Sequence, residues 1–218
     1  MKLVDVFWSM NSPYCYFALD RILALRERAD VDVRLRLVLP GILRNAGSFK
    51  DAEPIEQRYF ETDGVRTASF LDLPYASPRP YPTEMDPERI YRAGPDQSRV
   101  MRLYHLTEAA NEQDQGWAFL DKVMRLIFRW LNRELASRRQ ARARHRQCGA
   151  RHGCAGLDMA VLDRRAQEAS ERFDDGFEQN DVAMRETGHW GPPMFGYNGE
   201  PFYGQDRFDQ LLWRLDQS

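Results

Sequence analysis

Leu3-Val4-Asp5-Val6-Phe7-Trp8, then Ser9-Met10-Asn11-Ser12-Pro13, then Tyr14-Cys15-Tyr16-Phe17-Ala18-Leu19-Asp20-Arg21-Ile22-Leu23: an alternating run rich in Val and aromatics, a turn, and a run with helical spacing. The first segment reads as a strand. The second supplies a helix start, with Ser12 where an N-cap belongs. Pro13 suits the first helical position, because an N–H there has no intrahelical partner in any residue. Cys15, Ala18, Leu19, Ile22 and Leu23 then form one apolar face of a helix expected to end near Asp30. Next, Val31 to Leu39 sets Val33, Leu35, Leu37 and Leu39 on one side and Asp32, Arg34 and Arg36 on the other, a period of two. Strand, helix and strand in this order make a βαβ unit, which predicts parallel strands and a right-handed crossover.

Outward from this opening, Pro40 to Pro95 is rich in Pro, Gly and Asp, so loops should dominate, with a helix around Gln57 to Phe70. Helical spacing returns at Val100, Leu103, Tyr104 and Leu106, and again at Leu120, Val123, Met124, Ile127, Leu131 and Leu135. Two further helices are predicted over Asp158 to Ala169 and Glu171 to Arg185. The Met, Phe and Trp residues on these faces read as core. Met194 to Tyr197 and Pro201 to Tyr203 flank Asn198-Gly199, a pair suited to the two positive-φ positions of a type I′ hairpin turn. Phe208, Leu211, Leu212 and Leu215 close the chain's pattern with a helix. The two ends must therefore share one sheet. The reading is an α/β fold, βαβ at the front and ββα at the back, with residues 1–70 and 186–218 as one discontinuous domain and 71–185 as an all-helical insertion.

Composition bounds the function. The chain has 218 residues, 31 Lys+Arg against 33 Asp+Glu and a net charge of -2, so nothing advertises a nucleic-acid partner. A hydrophobic content of 43% supports a real core and excludes disordered and fibrous classes. The three cysteines, Cys15, Cys148 and Cys154, are too few and too odd in number for a disulfide framework. Asp5 interrupts the start before a secretory apolar run forms, and later apolar runs fall far short of the ~20 residues of a spanning helix. A soluble cytoplasmic protein without a membrane partner is expected.

Ser12 ends a strand and opens a helix, so its hydroxyl lies beside unpaired N–H groups and the positive end of the helix dipole, where an anion is stabilised. A plain cap is the alternative. At Gly191-Pro192-Pro193-Met194 a proline enters a strand directly after another proline, which marks that X-Pro bond as a candidate for cis. Such a loop beside a helix N-terminus leaves free backbone groups facing the Ser12 hydroxyl.

Three stretches, Phe7-Trp8-Ser9-Met10-Asn11-Ser12-Pro13-Tyr14-Cys15-Tyr16, Gly188-His189-Trp190-Gly191-Pro192-Pro193 and Gly199-Glu200-Pro201-Phe202-Tyr203-Gly204-Gln205-Asp206-Arg207, resemble in this order the 2-hydroxychromene-2-carboxylate isomerase family. That family is related to kappa-class glutathione transferases within the DsbA-like thioredoxin superfamily. The resemblance implies a thioredoxin-like fold with a helical insertion, a homodimer, and glutathione as cofactor. Ser12 matches the catalytic serine that holds the glutathione sulfur as thiolate. Pro193 matches the cis-proline and Pro192 precedes it, with neighbouring backbone pairing to the cysteinyl part of the tripeptide. Gln205 and Asp206 match the pair that holds the γ-glutamyl end; Asp206 suits its ammonium, although a plain helix cap is an equal local reading. Toward the glycyl end, Ser48 and Glu56 stand where relatives carry Asn and Lys, with Asn45, Lys50 or Arg58 available to compensate.

Ser137 to His152 departs further from the family, carrying Arg138, Arg139, Arg142, Arg144, Arg146 and Arg151 and no acid. A solvated basic loop is the leading reading, ahead of nucleic-acid binding and of zinc held by His145, Cys148, His152 and Cys154, whose spacing matches no usual ligand pattern. No metal site is expected. Cys15 reads as a buried packing thiol and His189 as a structural or rim residue. The resulting expectation is a glutathione-dependent cis-trans isomerase of an aromatic conjugated keto acid in aromatic catabolism. A kappa-like glutathione transferase or peroxidase, and a glutathione-binding protein without turnover, are the alternatives.

Overall fold

The computed structural model describes residues 1–45, 53–78, 80–88, 92–129 and 157–217. Ser48, Lys50 and the Arg-rich stretch Ser137 to His152 lie outside them. The front half is strand β1 (Lys2–Trp8), helix α1 (Pro13–Leu25), strand β2 (Val31–Leu37) and the one-turn helix α2 (Gly41–Arg44). Helices α3 (Pro54–Phe70), α4 (Ser98–Asn111), α5 (Gly116–Arg129), α6 (Met159–Glu168) and α7 (Ser170–Thr187) follow. The chain returns to the sheet as β3 (Met194–Tyr197) and β4 (Glu200–Tyr203), then passes through a 3-10 turn (Gln205–Arg207) into α8 (Phe208–Leu215).

The four strands lie in the order β2-β1-β3-β4, with β1 parallel to β2 and antiparallel to β3. The two ends of the chain thus share one sheet, as the periodicity predicts. Asn198 and Gly199 take φ of 52° and 78°, the conformation that a type I′ turn needs and that Asn and Gly tolerate best. Alternation splits the sheet into two faces. Val4, Val6, Trp8, Phe195 and Tyr197 join α1, α5 and α8 in the larger core. Phe7, Val38 and Met194 point the other way, onto Met184 of α7.

Helices α4 to α6 belong to that same larger core, through Tyr104, Leu120 and Leu162 among others. Trp8 meets Trp117 edge-on at 6.0 Å, and the Trp117 indole donates to the Val33 carbonyl at 3.2 Å. Three boundaries differ from the sequence reading. Helix α1 stops at Leu25, where the chain turns toward β2 and Arg28 pairs with both Asp30 and Asp216. Strand β2 ends at Leu37, just short of Pro40, which lacks an N–H for the ladder. Helix α3 starts at Pro54, earlier than Gln57, because Glu53 and Glu56 form a reciprocal capping box. Glu56 is therefore occupied in a cap, its carboxylate accepting the Glu53 N–H at 2.7 Å.

Candidate active site at one end of the sheet

Strand directions bring four connections to one end. Because β1 and β2 are parallel, the chain leaves Trp8 and Leu37 at the same end. Because β3 is antiparallel to β1, with Met194 opposite Phe7, the residues preceding Met194 lie there too. Tyr203 pairs with Met194, which returns the chain after β4 to this end. Ser12, Pro192-Pro193 and Gln205-Asp206 are thereby gathered, as the sequence motifs require. The Gly204 N–H donates to the Pro193 carbonyl at 2.9 Å, and α1 packs against the 3-10 turn. The Pro192-Pro193 bond is cis.

Ser12 caps α1 from extended backbone (φ -96°, ψ 120°), and its Oγ accepts the Cys15 N–H at 3.4 Å. Cys15 is fully buried. Burial pushes its thiol up to about 12, outweighing the Ser9 N–H and the Ser12 side chain, which both favour the thiolate. The chain's own thiol in this helix turn is thus protonated and inert at neutral pH, while the group presented at the helix start is a hydroxyl. Tyr14 leans the other way, its hydroxyl donating to Asp63 Oδ2 of α3 at 2.5 Å; burial and that carboxylate raise its pKa.

The residues here fit a bound thiol peptide. Asn11 Oδ1, adjacent to Ser12, is buried with no hydrogen-bond partner among the described residues, an acceptor awaiting a donor. Asp206 is exposed and caps neither the 3-10 turn nor α8, so its carboxylate, paired on one side with Arg207 at 2.9 Å, is open to an ammonium. An added Cβ at Gly204, whose φ is +94°, would meet Asp206 Oδ1 at 2.5 Å; the carboxylate folds back over the glycine. Gln205 gives its carbonyl to Arg21 Nη1 of α1 at 3.4 Å. Asn45 already accepts from Arg185 at 2.8 Å.

Two supports are invisible to sequence patterning. Tyr104, fully buried in α4, donates to the Val38 carbonyl at 2.8 Å and accepts the Met10 N–H at 3.1 Å. With its proton spent on Val38, the Ser9 hydroxyl 3.1 Å away must be the donor to it. One phenol thus holds the β1–α1 and β2–α2 connections together. Arg44, with a side chain only 6% exposed, bonds Leu39 and Asp181 and reaches the Trp190 carbonyl at 3.2 Å, fixing the loop before the cis bond. Helical spacing identifies Tyr104 as a core position but carries no sign of its hydroxyl's partners. Tyr104→Phe strands a buried N–H and a buried carbonyl at once. A loss of about 2–4 kcal/mol is expected, read as a lower urea midpoint at unchanged slope.

Among the described residues no cluster of three or more His, Cys, Asp or Glu side chains is placed to hold a metal ion, and no helix is long and apolar enough to cross a membrane. A family model described as DSBA-like thioredoxin domain matches residues 3–216. The structure of a 2-hydroxychromene-2-carboxylate isomerase is 17% identical and superposes with a TM-score of 0.64, over 99% of this chain and 95% of that one. Cytosolic disulfide reductase DsbM from Pseudomonas aeruginosa is 18% identical with a TM-score of 0.58, over 99% and 100%. Its structure with GSH gives 0.57. A probable DsbA oxidoreductase from Streptomyces coelicolor is 19% identical with a TM-score of 0.58, over 98% and 89%. No curated protein matches the chain. These likenesses show a thioredoxin-like fold of the DsbA type, a mixed sheet flanked by helices.

Proposed function

The chain belongs to the DSBA-like thioredoxin domain family, and within it we propose a glutathione-dependent cis-trans isomerase acting on an aromatic, conjugated α-keto acid of the 2-hydroxychromene-2-carboxylate type, in aromatic catabolism. The observation that carries this reading is the pairing of Ser12 at the start of α1 with a buried Cys15 whose thiol is raised to about 12. Disulfide exchange needs a reactive thiolate at that helix start, and this chain offers an oxygen there. A hydroxyl at a helix N-terminus instead suits holding another molecule's sulfur as the anion, without competing as a nucleophile.

Bound glutathione would supply the sulfur that adds to the conjugated carbon, allows rotation about the resulting single bond and leaves again, with no net redox change. The protein's part is to bind and to orient. Ser12 donates to the sulfur, the backbone beside Pro192 and Pro193 pairs with the cysteinyl unit, and Gln205 and Asp206 receive the γ-glutamyl end. Ser48 is kept as the glycyl-end contact. The same reading carries a homodimer, a cytoplasmic location, no nucleic-acid or membrane partner, and the stretch 71–185 as an insertion into the domain formed by 1–70 and 186–218.

Ultraviolet spectra of 2-hydroxychromene-2-carboxylate with the purified protein test it. The expected result is a glutathione-dependent spectral change with the free thiol conserved. Steady consumption of thiol would favour transferase or peroxidase chemistry instead, and the absence of any glutathione-dependent change would overturn the proposal.

A further inference from the structure

Three rings stand in a column where the loop before the cis bond meets the end of β4. His189 lies 4.3 Å from Trp190 at an interplanar angle of 15°, and 3.7 Å from Tyr203 at 20°. The two outer rings are open to solvent, Trp190 at 64% and Tyr203 at 49% exposure, so each keeps a free face. Exposed aromatic rings usually adopt whatever orientation solvent allows. These do not, because the column is fixed from within.

The His189 Nδ1 lies 3.0 Å from the Gly191 N and 3.3 Å from the Gly191 carbonyl oxygen, and these two backbone contacts set the plane of the ring. Burial lowers the His189 pKa, so the middle ring is a neutral imidazole at neutral pH. The Trp190 carbonyl is held by Arg44, itself clamped to Asp181. Gly191 sits against the column: a Cβ there would make ordinary contact with both Tyr203, at 3.4 Å, and His189, at 3.5 Å. A rigid aromatic surface that exists before any ligand arrives loses little freedom when one binds.

Position gives the column its occupant. Tyr203 pairs with Met194, the residue after the cis bond, at the same end of the sheet as the start of α1. Tyr203 also lines a hollow of about 360 Å³ with Pro201, Phe202, Asp206, Arg207 and Gln210. Arg207 in this hollow is paired with Asp206 at 2.9 Å, so what Tyr203 offers there is a stacking face for a planar ring.

We propose that Tyr203, backed by His189 and Trp190, is the specificity surface for the planar aromatic ring of the substrate, which stacks on the free face of Tyr203. The proposal rests on the isomerase reading of Ser12 and deepens it by naming what selects the substrate. His189 and Trp190 act through Tyr203 and are positioning residues.

The test uses the full chain and chromone-2-carboxylate, a planar, unreactive carboxylate, titrated calorimetrically. Tyr203→Leu keeps an apolar side chain and removes the plane, and should weaken binding about tenfold or more. Tyr203→Phe should restore it. Trp190→Ala deletes the far ring yet keeps the backbone carbonyl bonded to Arg44, and should weaken binding by about threefold. Cyclohexanecarboxylate, which has no flat face, should bind to none of them. Equal binding by wild type, Tyr203→Leu and Trp190→Ala, or no binding by wild type, overturns the proposal. The two readings separate: Tyr203-dependent binding without isomerisation sinks the isomerase assignment alone, and isomerisation with an unchanged KM in Tyr203→Leu sinks the ring subsite alone.

Discussion

Ser12→Ala should leave glutathione bound and lower turnover by about 10² to 10³, the effect of deleting one preorganised donor to a developing or stabilised anion. The helix dipole and the backbone beside Pro193 remain in the variant, so the binding isotherm should change little. What changes is the charge state of the bound thiol. A free thiol titrates near ~8.5 and is mostly protonated at neutral pH; removing the donor that favours the thiolate moves the bound thiol's pKa upward. The thiolate is the active form. The rising limb of the pH-rate profile should therefore shift to higher pH, and part of the lost rate should return in alkaline buffer. The cap itself contributes at most about 1 kcal/mol, since the Oγ to Cys15 N–H contact is long at 3.4 Å, so the fold should survive. Full activity in the variant would reduce Ser12 to a helix cap and remove the anchor of the mechanism.

Ser12→Cys should produce the opposite chemistry, a gain of thiol-disulfide exchange from a negligible starting level. The substitution completes a Cys-Pro-Tyr-Cys run at a helix N-terminus, where the dipole depresses the first thiol's pKa. The new thiolate attacks a substrate disulfide, forming a mixed disulfide and releasing one thiolate. Cys15 can then displace the second sulfur and close an internal disulfide, which glutathione in the buffer reduces. Burial that raises Cys15 to about 12 makes this second step slow. The variant should accordingly accumulate mixed disulfide, visible by mass, while reducing insulin in a turbidity assay and losing isomerisation, because its thiolate attacks oxidised glutathione, releases one glutathione thiolate and keeps the other half as a mixed disulfide in the site. An inert variant would show that the start of α1 does not activate sulfur, and the assignment of Ser12 would fall with it.

The sheet and the helix starts are legible in the residues because each is a local signal. Alternation through Val33, Leu35 and Leu37 fixes which face of β2 is buried, and Asn198-Gly199 has few conformations other than the hairpin it forms. Ser12 and the Pro192-Pro193 pair are legible for the same reason: each is a short run with a strong backbone preference. The missed start of α3 follows from Glu53 serving as the cap, a residue type with weak cap preference, helped by Glu56. What spacing does not reveal is the fastening of these pieces to one another. Tyr104 reads as one more apolar position in α4, yet its hydroxyl touches Ser9, Met10 and Val38. Arg44 lies in the Pro-, Gly- and Asp-rich stretch after β2 and is buried against Asp181 and Trp190. Those partners are far away in sequence, and only the folded topology brings them into reach.

The pairing of Val6 with Phe195, at the centre of the sheet, has a kinetic side. Strand β1 finds its parallel neighbour β2 early, through a short helical crossover, but its other edge stays open until the hairpin of β3 and β4 arrives from the far end of the sequence. Closing so long a loop carries an entropic cost before any contact repays it, so this step should govern the folding rate. Until it happens, the partly folded chain presents the apolar Val4-Asp5-Val6-Phe7 edge to its surroundings, an invitation to strand addition by other molecules. Asp5, gripped by Arg34 and Arg36 across the β1–β2 pair, places a charge on that edge in the interval, and so serves as a guard during assembly as well as a salt bridge afterwards.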